Sequence, residues 1–107
     1  MSIREVTVAE LEAALLAGGR VLDVRETDEY VAGHIPGAVH VALGTVPDRV
    51  DLFRDDTPVH VVCRSGARSM RACEYLANEG VEAVNVAGGT LDWVASGRAV
   101  VIGSAAT

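Results

Sequence analysis

The chain has 107 residues, half of them apolar, and a formal net charge of −6. This length suits one domain with a single core, and the negative charge argues against nucleic acid as a general partner. The apolar runs are too short to span a bilayer, and Arg4 and Glu5 stand where a signal peptide would be apolar. We therefore expect a cytoplasmic protein that does not bind membranes and is a monomer.

Short β-branched runs alternate with helix-like segments along the whole chain. Thr7 and Glu10 form a capping-box pattern, and Thr27 and Thr90 are predicted helix caps. The predicted elements are, in chain order, a strand over 3–6, a helix from 7 to 18, a strand over 20–24, a short helix over 27–32, a strand over 39–41, a helix from 45 to 55 with Pro47 in its first turn, a strand over 59–62, a helix over 69–79, a strand over 81–86 and a helix that begins at 90.

This alternation predicts the fold class. Strands that alternate with helices pair in parallel through right-handed crossovers, which cover both faces of the sheet. We expect an α/β fold with a five-stranded, mostly parallel sheet, formed by residues 1–107 as a single domain. Val100, Val101 and Ile102 are expected to pack against this domain, and the tail from 103 is expected to fray.

The segment around Cys63 carries the strongest chemical signal. Cys63 follows the apolar run Val59–Val62 directly, and a small polar loop then leads into a helix. The free N–H groups and the dipole of that helix favour an anion in the loop. The dipole usually contributes only about 0.3–1 kcal/mol, so loop amides and the charges of Arg64 and Arg68 must also lower the pKa of the thiol. A reactive Cys63 is therefore predicted.

Other polar side chains favour structural roles. Cys73 falls on the apolar stripe of the helix over 69–79 and is predicted to lie in the core. His40 and His60 lie on predicted strands and do not have zinc-type spacing with the cysteines, so no metal is expected. Arg68 is left with two alternatives, contact with substrate or an ion pair with an acid such as Asp23.

Several motifs together resemble the single-domain rhodanese family of sulfurtransferases. They occur in the order and spacing of that family and cover nearly the whole chain. The matching segments are Leu22–Glu26, Glu29–Tyr30, Gly33–Ala38, Cys63–Ser69, and Gly88–Gly89 followed by Trp93.

The resemblance implies a persulfide mechanism and a rhodanese-like fold. Cys63 is the implied nucleophile, and it would take a sulfane sulfur from thiosulfate or a similar anionic donor and pass it to cyanide or a thiol. The implied substrate-binding residues form the rest of the loop: Arg64, Ser65, Gly66, Ala67, Arg68 and Ser69. Members that prefer mercaptopyruvate have Gly in place of Arg64, so an inorganic donor is favoured. No cofactor is implied. In this family His34, Asp23 and Arg25 resemble structural residues.

Two other functions share the same loop. A sulfur carrier would differ from an enzyme only in the acceptor, which could be a protein. A Cys-dependent phosphatase or arsenate reductase has five residues between its Cys and its phosphate-binding Arg. Only four residues separate Cys63 from Arg68 here, so the loop should be too small for a tetrahedral oxyanion.

Overall fold

The computed structural model describes residues 2–107. Its elements are β1 (Glu5–Val6), α1 (Val8–Leu16), β2 (Val21–Asp23), α2 (Thr27–Ala32), β3 (Val39–His40), two 3₁₀ helices (Leu43–Asp48 and Val50–Phe53), β4 (Val59–Val62), α3 (Ala67–Asn78), β5 (Ala83–Val86) and α4 (Gly89–Ala95). The five strands form one sheet in the order β1-β5-β4-β2-β3, and every neighbouring pair is parallel. The predicted α/β fold is confirmed. In residues 2–107, no helix combines the length and the apolar character that crossing a membrane requires.

The sheet separates two groups of buried apolar side chains. Along β4, Val61 belongs to the group beneath α3 and the 3₁₀ helices, and Val62 belongs to the group beneath α1, α2 and α4. Successive side chains of a strand point to opposite faces, so a strand covered on both sides is apolar throughout. Cys73, fully buried on α3, lies in the first group as predicted.

The central position of β4 places the next residue at the middle of the sheet edge. β5 and β2 flank β4, with Val61 opposite Asn85 and Val62 opposite Asp23. Because all strands are parallel, their carboxyl ends meet at this edge, where ligands of open α/β sheets bind. Cys63 follows β4 there.

The helix caps agree with the sequence at α1 but not at α2. Thr7 Oγ1 accepts the N–H of Glu10 at 3.1 Å, and Glu10 Oε1 accepts the N–H of Thr7 at 2.9 Å, which confirms the capping box. Thr27 is not a cap, because it is already the first residue of α2. Glu26 precedes α2 instead, and its N–H donates to Glu29 Oε1 at 3.0 Å.

The α-helix predicted from 45 to 55 is wrong. The segment forms two 3₁₀ helices in which Arg49 N–H donates to Val46 O at 2.9 Å and Leu52 N–H donates to Arg49 O at 3.1 Å. Pro47 has no N–H and Gly44 is a poor helix former, so both disfavour a regular i to i+4 ladder here. Short i to i+3 turns are the remaining solution.

The segment after α4 packs against the domain in part as predicted. Val100 contacts the core on the α4 side. Val101 and His34 exchange two backbone hydrogen bonds, at 2.9 and 2.8 Å, in an isolated antiparallel bridge. Ile102 is 76% exposed, so the expectation that it packs inward is wrong. The antiparallel bridge is confined to Val101, so no strand pairing directs the Ile102 side chain towards the core.

The tail beyond Ile102 is held by hydrogen bonds, in contrast to the expected frayed end. Gly103 N–H donates to Val31 O at 2.9 Å. The His34 ring contacts Tyr30 O through Nδ1 and Ala105 O through Nε2, both at 2.8 Å. His34 is fully buried and stacks on the Tyr30 ring at 3.7 Å. These contacts join the tail to the end of α2.

Candidate active site

Cys63 lies at the start of a tight loop between β4 and α3. Gly66 N–H points at Cys63 Sγ with an N···S distance of 3.1 Å, and Ser69 Oγ lies 3.3 Å from the same sulfur. Gly66 has φ +115°, a conformation that favours glycine, and this conformation turns its N–H inward. The loop therefore aims donors at the sulfur.

The surroundings of Cys63 favour its thiolate. The residue is only 1% exposed. Burial raises the pKa of the Cys63 thiol, but hydrogen bonds from the Ser69 hydroxyl and from the N–H groups of Ser69, Gly66 and Ser65 outweigh it, and the net pKa is lowered. The single Ser69 proton can serve either Cys63 Sγ or Gly66 O, which is 3.2 Å away. A thiolate is the stronger acceptor of the two.

The first turn of α4 holds the loop from the outside. Thr90 was predicted to cap this helix, but Gly88 occupies the cap position and Thr90 is buried. Thr90 donates to Cys63 O from both its N–H, at 2.9 Å, and its hydroxyl, at 3.0 Å. Leu91 N–H donates to Arg64 O at 3.0 Å. A local helix-cap pattern cannot predict this contact, because Thr90 and Cys63 are 27 positions apart in the chain.

Asn85 supports the loop from β5. Its Nδ2 group donates to Gly66 O at 3.2 Å and to Glu5 Oε2 at 2.8 Å, while the residue is 1% exposed. No sequence pattern singled out Asn85 as a residue of the site. The available signal was a lone amide in an otherwise apolar strand, and a buried amide normally has hydrogen-bond partners.

The two arginines of the loop differ in their partners. Arg64 is exposed and has no ion pair among residues 2–107. Arg68 is paired with Glu29 of α2 through two hydrogen bonds of 2.8 and 2.9 Å. These bonds lower the pKa of Glu29 to about 2, so the pair persists at all but strongly acidic pH. The acid that pairs with Arg68 is thus Glu29 and not Asp23.

Asp23 has a different arginine as its partner. Asp23 is fully buried and Arg25 is 5% exposed. Arg25 Nε lies 3.0 Å from Oδ1 of Asp23 and Nη2 lies 2.8 Å from Oδ2, and Nη2 also donates to Gly33 O at 2.9 Å. The two residues lie together on β2 and its continuation, so the pair joins the sheet edge to the end of α2. Its geometry agrees with the structural role expected for these residues.

A Ser69→Ala variant should react more slowly at Cys63. A hydrogen bond to a charged group is worth about 1.5–3 kcal/mol, and about half of this is offset because a more basic thiolate is more nucleophilic. Losing the hydroxyl raises the pKa of Cys63, so alkylation by iodoacetamide at pH 7 should slow about three- to tenfold. At high pH, where both thiols are ionised, the order should reverse, because the more basic thiolate of the variant is the stronger nucleophile. Peptide mapping with mass spectrometry measures the rate at each cysteine.

Two internal controls accompany this measurement. Ser65 contributes its backbone N–H to Cys63 while its side chain is exposed, so Ser65→Ala should alter the rate by less than about twofold. Cys73 should remain unlabelled, because burial raises the pKa of its thiol to about 12. An unchanged rate in Ser69→Ala would show that the hydroxyl does not stabilise the thiolate.

Comparison with known proteins places this geometry in a family. The Rhodanese-like domain family matches residues 7–96. A protein of Bacillus subtilis named "Putative sulfurtransferase YtwF" is 39% identical over 95 residues, which cover 87% of this chain and 92% of the relative. The "Putative sulfur carrier protein YrkF" of the same organism is 40% identical over 74 residues, which cover 68% of this chain and 40% of the relative.

Solved structures agree with these relatives. The crystal structure of a Rhodanese-like domain protein from Staphylococcus aureus superposes with a TM-score of 0.84 at 34% identity, covering 94% of this chain and 98% of the other. On its sequence, its topology and the family match, this chain belongs to the Rhodanese-like domain family.

Proposed function

We propose that this protein is a sulfurtransferase that carries a sulfane sulfur on Cys63 as a persulfide. One observation carries the proposal: Gly66 N–H and the Ser69 hydroxyl both point at Cys63 Sγ at the carboxyl end of the central strand. Fixed donors at such a site stabilise negative charge as it develops, without having to reorganise. Relatives named as sulfurtransferases support the same class of reaction.

Thiosulfate or a similar anionic donor would load the enzyme. The Cys63 thiolate attacks the outer sulfur of thiosulfate and forms a new S–S bond. The original S–S bond breaks, and sulfite leaves with its electron pair. The negative charge moves from Sγ to the outer sulfur of the persulfide, where inward N–H groups of the same loop can hold it.

A thiophilic acceptor would complete the cycle. Cyanide attacks the outer sulfur, thiocyanate leaves and the Cys63 thiolate is regenerated. With a thiol acceptor, the attacking thiolate takes the outer sulfur and becomes a persulfide. A protein could supply that thiol, and the similarity to a protein named as a putative sulfur carrier supports a protein donor or acceptor.

The residues of the loop have separate proposed roles. Exposed Arg64, free of ion pairs in residues 2–107, is the cation that would attract a dianionic donor. The backbone of Ser65, Gly66 and Ala67 would surround the outer sulfur, because their small side chains leave the loop interior open. The family resemblance implies that Arg68 binds substrate, but its bidentate pair with Glu29 supports a role in holding α2 beside the loop.

The same ion pair argues against a phosphatase. An arginine that binds phosphate frequently does so through two parallel N–H groups directed at the oxyanion. Both terminal nitrogens of Arg68 bond to Glu29, at 2.8 and 2.9 Å. Together with the loop of only four residues between Cys63 and Arg68, this pairing favours sulfur transfer over phosphate hydrolysis.

Intact-mass spectrometry after incubation with thiosulfate tests the proposal. Wild type should gain the mass of one sulfur atom, and cyanide should remove it with release of an equal amount of thiocyanate. Cys63→Ser should gain nothing. Cys73→Ser is the matched control and should be loaded like wild type, because Cys73 lies in the core.

Two results would overturn the proposal. One is a sulfur adduct that persists in Cys63→Ser. The other is hydrolysis of an aryl phosphate by a protein that neither binds sulfur from thiosulfate nor releases thiocyanate.

A further inference from the structure

A wide groove lies beside the Cys63 loop, between α2, α4 and the segment after α4. Its volume is about 640 Å³. Apolar side chains form most of its walls, among them Ala32, Leu91, Val94 and Val100. Leu91 is 45% exposed and Val94 is 54% exposed. An open apolar surface of this kind gains free energy when an apolar ligand covers it.

The groove and the Cys63 loop are parts of one structure. Arg64, the residue after Cys63, lines the groove, and so does Thr90. Thr90 donates two hydrogen bonds to Cys63 O, and Leu91 N–H donates to Arg64 O. A molecule lying along α4 would therefore place one of its ends at the mouth of the loop that holds the sulfur.

The charges around the groove select an anionic ligand. Three charged residues line it, namely Arg25, Glu29 and Arg64. Arg25 is paired with Asp23, and Glu29 is paired with Arg68. Of these three groove residues, Arg64 alone has no ion-pair partner within residues 2–107. One unneutralised positive charge stands at the end of the groove nearest Cys63.

The groove is larger than binding of the sulfur donor requires. Thiosulfate has only five heavy atoms, whereas pockets of about 300–1,000 Å³ typically take organic molecules with a mainly apolar body. Cyanide is smaller still and needs no groove. A ligand that contacts these apolar walls is therefore an organic molecule. In the sulfur-transfer cycle, an organic nucleophile can react at the step in which the Cys63 persulfide gives up its outer sulfur.

We propose that this groove binds an organic thiol acceptor that has an apolar chain and an anionic group, with the anion at Arg64, the chain along Leu91 and Val94, and the thiol sulfur at the Cys63 loop. The inference rests on the proposed sulfur transfer and names its acceptor class. The acceptor thiolate attacks the outer sulfur of the Cys63 persulfide, the S–S bond to Cys63 breaks, and Cys63 leaves as the thiolate. The product is an organic persulfide, and no oxidant is consumed.

Steady-state kinetics with matched acceptors test this assignment at saturating thiosulfate. 2-Mercaptohexanoate has the chain, with its thiol and its carboxylate together at one end, 2-mercaptohexanol lacks the charge, and mercaptoacetate lacks the chain. We expect the lowest KM for 2-mercaptohexanoate. In the Leu91→Ser/Val94→Ser double variant its KM should rise about tenfold through lost apolar contact, while the KM for cyanide stays within about twofold of wild type. Leu16→Ser removes a leucine that is 85% exposed on α1, and it should change neither value.

The outcomes separate this inference from the proposed function. Two results would contradict binding of the acceptor in this groove: equal KM values for the three thiols in wild type, or an unaltered KM for 2-mercaptohexanoate in the double variant. Thiocyanate formation from cyanide would still support sulfur transfer in either case. A concentration-dependent dimer that the double variant abolishes in sedimentation experiments would assign the groove to a second copy, and would also overturn the inference. Failure of wild type to form thiocyanate would overturn the proposed function itself.

Discussion

Arg25→Leu should lower the free energy of unfolding by about 3–5 kcal/mol. The variant leaves the Asp23 carboxylate in the interior without its cation, and breaking a buried ion pair from one side is much more costly than losing the pair as a whole. It also removes the hydrogen bond from Arg25 to Gly33 O at 2.9 Å. Urea unfolding followed by circular dichroism gives this free energy from the midpoint and the slope.

The Arg68–Glu29 pair provides the matched control for this measurement. Its side chains are 33% and 27% exposed, against 6% and 0% for Arg25 and Asp23. Water already solvates much of the exposed pair, so Glu29→Gln should cost about 1 kcal/mol or less. Similar losses in Arg25→Leu and Glu29→Gln would contradict the claim that burial makes the Asp23–Arg25 pair critical.

Gly89→Ala should reduce sulfur transfer about a hundredfold or more. An added Cβ at Gly89 would lie 2.5 Å from Cys63 O and 2.6 Å from Arg64 O. These are backbone atoms of the Cys63 loop, so the collision can be relieved only by moving the loop or α4. A displacement of about 1 Å in a catalytic group can cost about a hundredfold in rate. The measurement is kcat/KM for thiosulfate, with thiocyanate as the detected product.

Gly97→Ala separates the collision from the backbone conformation. Gly97, just past the other end of α4, has φ +81°, and a Cβ there would meet no atom within 4 Å. Both variants pay the cost of a non-glycine residue at positive φ, about 1–2 kcal/mol. Only Gly89→Ala should lose activity. Equal activity in the two variants would show that contact between α4 and the loop does not position Cys63.

Local patterns in the sequence were sufficient to predict much of the architecture. The apolar run Val59–Val62 and the polar loop after it predict a strand followed by a helix, because a buried strand is apolar on both faces and a helix start needs free N–H groups. The Thr7–Glu10 capping box was also predicted correctly, since its two partners are three residues apart. Such signals depend only on neighbours along the chain.

Interactions between distant segments were not predictable in the same way. Arg68 could pair with several acids, and only the fold, which brings α2 and the start of α3 to the same edge of the sheet, selects Glu29 over Asp23. Thr90 fits the pattern of a helix cap, yet its hydroxyl bonds to Cys63 O because α4 begins beside the loop. Polar side chains have many acceptable partners, and the sequence does not contain the distances that choose among them.

The amino-acid sequence by itself determined the α/β fold with a mostly parallel sheet, the position of Cys63 directly after an apolar strand and the resemblance to the rhodanese family. The tertiary structure alone decided which groups face the sulfur, which of the two loop arginines, Arg64 and Arg68, remains unpaired and where an apolar groove opens beside the loop. The physical reason is the separation along the chain between the residues that interact. Strand and helix signals arise from periodicity over a few residues, whereas the field and the shape around Cys63 come from β5, α2, α3 and α4, which only folding brings together.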